Sequence, residues 1–119
     1  MKSWITLGER LSLKDFIQVV RYHVPVNFSE EYEARVNRSR ALVDRWTAEE
    51  KPMYGVTTGF GALCSKTISS EEAARLQRNI LLSHSVSVGA PLSEEIVRAT
   101  MLMVLQNLGQ GYSGVRLTR

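Results

Sequence analysis

Tyr54 opens the run YGVTTGFGALCS, residues 54–65, where three glycines and three hydroxyl side chains follow one phenol. A tyrosine phenol ordinarily ionises near pH 10, so it serves as a base only beside a cation, a dipole or a helix N-terminus. Gly55, Gly59 and Gly61 allow positive φ and close approach of the backbone to a ligand. A tyrosine packed at a helix-to-loop transition, with glycines serving turns, explains the pattern equally well and is the commoner case. The run is not GxGxxG and follows no clear strand, which argues against a dinucleotide loop.

Four other residues have chemistry of their own. His84, in Ser83-His84-Ser85, either meets a helix C-terminal dipole when protonated or is simply satisfied at a helix end. His23 reads as a helix-ending residue, and no HxxxH or HExxH spacing signals a metal. Cys64 is the single cysteine, which excludes an internal disulfide and a multi-cysteine zinc site and reads as a buried structural thiol. Ser113, in Tyr112-Ser113-Gly114, reads as a helix cap, because no base for a nucleophilic serine is evident nearby.

Caps and periodicity predict four helices to position these groups. The first starts at Ser12, with Asp15 three residues on, and buries Leu13, Phe16, Ile17 and Val20. It stops before Val24-Pro25. The second starts near Ser29, with Glu30 and Glu31 at its positive dipole end and a stripe of Tyr32, Val36, Val43 and Trp46. The third starts at Ser69 with Glu72 as a capping box, carries Ala73, Leu76, Ile80 and Leu81, and is closed by Gly89 and Pro91. The fourth is capped by Ser93, with Glu94 and Glu95 next, and is apolar over most of its circumference, from Ile96 and Val97 through Met101–Leu105 to Leu108. A helix of that kind is normally buried on all sides. A chain of 119 residues has little with which to surround it, so the chain is expected to belong to something larger, by oligomerisation or as a truncated piece.

Composition narrows the classes. At 44% hydrophobic and 23% charged, the chain reads as one soluble globular domain over residues 1–119. The net charge of +3 is spread out, and the densest basic stretch, Arg35, Arg38, Arg40 and Arg45, is interleaved with Glu30, Glu31, Glu33 and Asp44. That reads as a solvated helix face and argues against nucleic-acid binding. The first residues hold no signal-peptide pattern, and the apolar stretch at Met101–Leu105 is too short to span a bilayer. A cytoplasmic protein is expected.

The ordered set of motifs is more specific than any one of them. YGVTTGFG at 54–61, Leu76-Gln77-Arg78-Asn79, Ser83-His84-Ser85 and Val88-Gly89-Ala90-Pro91-Leu92 follow one another, then Val97-Arg98-Ala99 and Gly111-Tyr112-Ser113-Gly114-Val115-Arg116. With Ser39-Arg40-Ala41 upstream, this closely resembles the N-terminal part of the aromatic amino acid ammonia-lyases, which include the histidine, tyrosine and phenylalanine enzymes and related aminomutases. The resemblance implies a mainly α fold of the fumarase/aspartase-like kind and elimination of ammonia from an aromatic amino acid. It implies that Tyr54 is the catalytic acid or base for the substrate's β-proton and that Gly61 lines the same pocket. It implies that His84 reads the substrate's ring, tilting preference towards histidine or tyrosine, whereas Thr57, where histidine-specific members often carry asparagine, pulls towards tyrosine, phenylalanine or aminomutase chemistry.

The family's electrophile is a methylidene-imidazolone made from an internal Ala-Ser-Gly, and no metal is implied. This chain contains no Ala-Ser-Gly, so alone it is expected to be inactive. A homotetramer is the implied assembly. Val104 and Gln106 stand where the family usually has Arg-x-Asn, and Ser87 where it has glycine, which suggests a divergent member. An aminomutase, or a stand-alone helical binding or assembly module, stays open beside the lyase.

Overall fold

The computed structural model describes residues 2–63 and 65–118. The elements in chain order are β1 (Ile5–Leu7), α1 (Leu13–Tyr22), β2 (Val26–Phe28), α2 (Glu30–Ala48), a 3-10 turn (Gly61–Leu63), α3 (Ser70–His84) and α4 (Glu94–Leu108). The mainly α expectation holds. The two three-residue strands are too short to leave a period in the sequence. Contacts divide the chain into two compact units, residues 1–40 with 90–119, and residues 41–89.

In the first unit β1 and β2 pair in parallel, with Ile5 beside Val26 and Leu7 beside Phe28. Parallel strands need a crossover, and α1 supplies it. Ser12 Oγ accepts from the Asp15 amide at 3.1 Å, and His23 ends the helix at φ 57°, letting the Val24 amide reach the Gln18 carbonyl at 3.1 Å. The buried face of α1 is Gln18, Val19 and Val20, whereas Leu13, expected inside, is 77% exposed. Gln18 is tolerated there because its Oε1 accepts from the Lys2 amide at 3.0 Å.

Helix α2 begins as expected, with Ser29 Oγ accepting from the Tyr32 amide. Its basic stretch is not merely a solvated face. Arg35 donates to the carbonyls of Gly8 and Gly109, at 2.8 and 2.9 Å, and pairs with Glu31 at 2.7 Å. Arg40 donates to the Gly114 carbonyl, whose amide in turn donates to Ser39 Oγ. These bonds hold the segment around Ser113 without helix, so Ser113 caps nothing among the described residues.

Helix α4 is left largely uncovered, as expected of a chain with little to surround it. Only Leu102 is buried, with Ala99 and Leu105 packed on the core, while Ile96, Val97, Met101, Met103 and Val104 are exposed. The core of this unit has enough residues to cover one stripe of the helix and no more. Ser93 precedes α4 in an extended conformation but makes no side-chain cap bond. No helix among the described residues is long and apolar enough to cross a membrane.

The second unit contains the end of α2, the Tyr54 run and α3. Ser69 and Glu72 form the expected capping box, each side chain bonded to the other's backbone. Ala73 is buried, Leu76 and Ile80 are half-buried, and Leu81 is exposed, which corrects its place in the apolar stripe. The helix ends at His84, five residues before the glycine expected to close it. Ser85, Val86, Ser87 and Val88 are poor helix formers, and Ser85 leaves the helical region at φ −78°, ψ 54°.

Candidate functional site

The loop around Tyr54 is built by hydroxyl side chains turned inward. Thr57 and Thr58 are 2% and 4% exposed, and they satisfy backbone groups that no strand or helix serves. Thr57 Oγ1 accepts from the Met53 amide at 2.8 Å and donates to the Lys51 carbonyl. Thr58 Oγ1 accepts from the Gly55 amide at 3.3 Å and lies 3.1 Å from the Gly59 carbonyl. The amides of Val56 and Thr57 both donate to the Met53 carbonyl, closing a turn around Tyr54. A short antiparallel bridge, Thr58 to Thr67, closes the far side of the loop.

Glycine is required at position 55. Its φ is +70°, and a Cβ there would stand 2.8 Å from the Phe60 ring. That ring meets Tyr54 edge to face, centroids 5.7 Å apart. Tyr54 itself is 67% exposed, and its hydroxyl lies 3.5 Å from the Gly61 amide. The structure thus brings Tyr54 and Gly61 together and leaves the phenol available to a ligand.

His84 is exposed at the last residue of α3, and its hydrogen bonds run to its own helix. Nδ1 lies 3.0 Å from the Ile80 carbonyl and 2.9 Å from Ser83 Oγ. Both contacts are made by Nδ1, so the ring is tied to the end of its own helix through that nitrogen. Helix α3 reaches the loop through Gln77, whose Nε2 donates to the Gly55 carbonyl at 3.1 Å. Sequence reading gave Gln77 no role. The available signal was its spacing of two helical turns from His84, which puts both on one face of the helix. His23, at 3.4 Å from a Glu94 carboxylate, is the helix end it was read as. Cys64 lies outside the described residues.

The profile of the family described as "Aromatic amino acid lyase" matches residues 11–119. A histidine ammonia-lyase from Alkaliphilus oremlandii is 45% identical over 117 residues, which are 98% of this chain and 23% of that enzyme. Among solved structures, the ergothioneine-degrading ergothionase of Treponema denticola superposes with a TM-score of 0.87 at 33% identity, over 94% of this chain and 23% of that one. Tyrosine aminomutase from Streptomyces globisporus gives 0.84 at 30% identity, over 94% and 22%. The chain therefore spans about a quarter of the length of the relatives it matches. The match over nearly the whole sequence, together with helices superposing on those enzymes, makes this chain a member of the aromatic amino acid lyase family.

Proposed function

We propose that this chain is the N-terminal portion of an ammonia-lyase acting on histidine or tyrosine, in which Tyr54 moves the substrate's β-proton. The observation that carries the reading is the exposed phenol on a loop whose own polar groups are bonded inward. In the elimination one proton leaves Cβ, the C–N bond breaks with its electron pair on the departing ammonia, and a double bond forms between Cα and Cβ. Tyr54 holds or takes the Cβ proton, and the Gly61 amide is the donor nearest its oxygen. His84 presents Nε2 to a ring donor, which an imidazole N–H or a phenol O–H supplies and a phenyl ring does not.

The methylidene-imidazolone expected from an Ala-Ser-Gly outside this chain supplies the electrophile that makes the β-proton removable. The chain's own residues fit a place beside such a group, because the phenol is exposed and its hydrogen bond with the Gly61 amide is long. The exposed apolar face of α4 supports assembly into a larger body, with a homotetramer as the proposed form. The similarity to a tyrosine aminomutase supports a second reading, in which the same proton-handling loop serves a 2,3-amino shift.

The test is Tyr54→Phe in the full-length enzyme. Turnover is expected to fall by about 10²- to 10⁴-fold with the melting temperature unchanged. Turnover at the parent level would remove Tyr54 from the chemistry.

A further inference from the structure

Both polar backbone groups of Gly55, the residue next to Tyr54, are held by side chains. Its amide donates to buried Thr58 Oγ1 at 3.3 Å, and its carbonyl accepts from Gln77 Nε2 at 3.1 Å. On the other side of Tyr54, the Met53 amide is held by buried Thr57 at 2.8 Å. The phenol therefore hangs from a peptide segment pinned at each end. Of these three pins, the threonines belong to the loop itself. Gln77 alone belongs to another element, and that element is the helix whose last residue is His84.

We infer that Gln77 is a positioning residue: its amide sets the register between the loop carrying Tyr54 and the helix carrying His84. This rests on the roles proposed for those two residues. Gln77 and His84 lie two turns apart on one face of α3, about 10 Å along the axis. A substrate read by its ring at one group and deprotonated at Cβ by the other needs that separation held. Near-attack geometry is steep, and a displacement of about 1 Å costs up to 10²-fold in rate. In this role Gln77 acts through the loop and not on the substrate. It fixes the Gly55 carbonyl, and Gly55 has φ +70° with the Phe60 ring against it, so the pin constrains how the Tyr54 ring leaves the loop. An alternative use of Gln77, as an ordinary exposed helix residue, predicts no effect from its loss.

The experiment compares Gln77→Met and Gln77→Glu with the parent in the full-length enzyme. Both keep the side chain's length, and neither offers an N–H at neutral pH. Expected are a fall in kcat of about 10- to 100-fold with KM changed much less, and an unchanged melting temperature. Amide hydrogen exchange over residues 53–60 should be faster in both variants. Parent-like exchange and kcat would overturn the inference, as would equal losses in kcat and thermal stability, which indicate a merely structural role. Tyr54→Phe, run alongside, separates the two layers. If it retains turnover, the proposed role of Tyr54 fails and the positioning role fails with it. If it abolishes turnover while the Gln77 variants remain parent-like, only the positioning role fails.

Discussion

The ring of Tyr32 occupies the space in which a side chain at Gly109 would lie: a Cβ there would stand 2.0 Å from its Cε2 atom. Gly109 is the C-cap of α4 with φ −65°, a conformation open to any residue, so the glycine is there for room and not for backbone freedom. The Tyr32 ring stacks on Phe28 at 4.4 Å and its hydroxyl donates to the Leu105 carbonyl at 2.7 Å. It cannot swing aside without losing both.

Gly109→Ala is accordingly expected to destabilise the protein by about 1–3 kcal/mol, the range for overpacking a filled core. Thermal unfolding reads it. An unshifted midpoint would mean that the α2–α4 junction repacks freely.

Tyr32→Phe should cost about 0.5–1.5 kcal/mol at neutral pH through the lost bond to Leu105. Its alkaline behaviour has a definite sign. Burial raises the Tyr32 phenol above the ordinary tyrosine range, and the nearby Arg35 charge offsets part of this. The folded state thus holds its proton to higher pH than the unfolded chain does. The corresponding stability is present below about pH 10, the ordinary phenol value, and is lost as pH rises through it towards the folded value. Denaturant unfolding of parent and variant between pH 8 and 11 should show a shallower decline in Tyr32→Phe. Parallel curves would contradict it.

His84→Phe removes the imidazole at the end of α3. In the full-length enzyme the ratio of kcat/KM for phenylalanine over histidine or tyrosine should rise by about 10-fold or more, the scale of one unsatisfied buried hydrogen bond. A ratio unchanged by the substitution would place ring recognition elsewhere.

Much of this arrangement could be read before any coordinates, and the failures have physical reasons. The caps at Ser12, Ser29 and Ser69 are local chemistry, a side-chain oxygen three residues from the amide it accepts, and each is found where expected. The two strands were missed because three residues carry no period, and their pairing is decided by the α1 crossover. Leu13 was misplaced because spacing defines a stripe but not which edge of it faces the core. The composition of helix α4 asks for more cover than 119 residues supply, and its exposed Ile96, Val97, Met101, Met103 and Val104 are the result.

The site divides in the same way. Tyr54, Gly61 and His84 came from a motif, and the first two lie together in the structure. Thr57 had been weighed as a substrate signal. Its hydroxyl is buried and bonded to Met53 and Lys51, a part in the loop's architecture that the sequence did not disclose. Gln77 was invisible because its partner is a backbone carbonyl, which every residue has.

Helix α3 is firmly tied at one end and barely at the other. Ser69 and Glu72 lock its first turn, while its last has no left-handed cap and is closed by the Ser85 amide on the Leu81 carbonyl and by the Ser83 hydroxyl on that of Ile80. His84 sits at that loose end. Helix termini open at far lower free energy than cores. On the proposed reading, discrimination between aromatic rings therefore has a thermal limit of its own, reached on warming while the molecule is still folded and Tyr54, on its pinned loop, still turns over. Substrate ratios followed against temperature would drift towards indifference below the melting point, and ratios constant up to that point would show the helix end held by other protein.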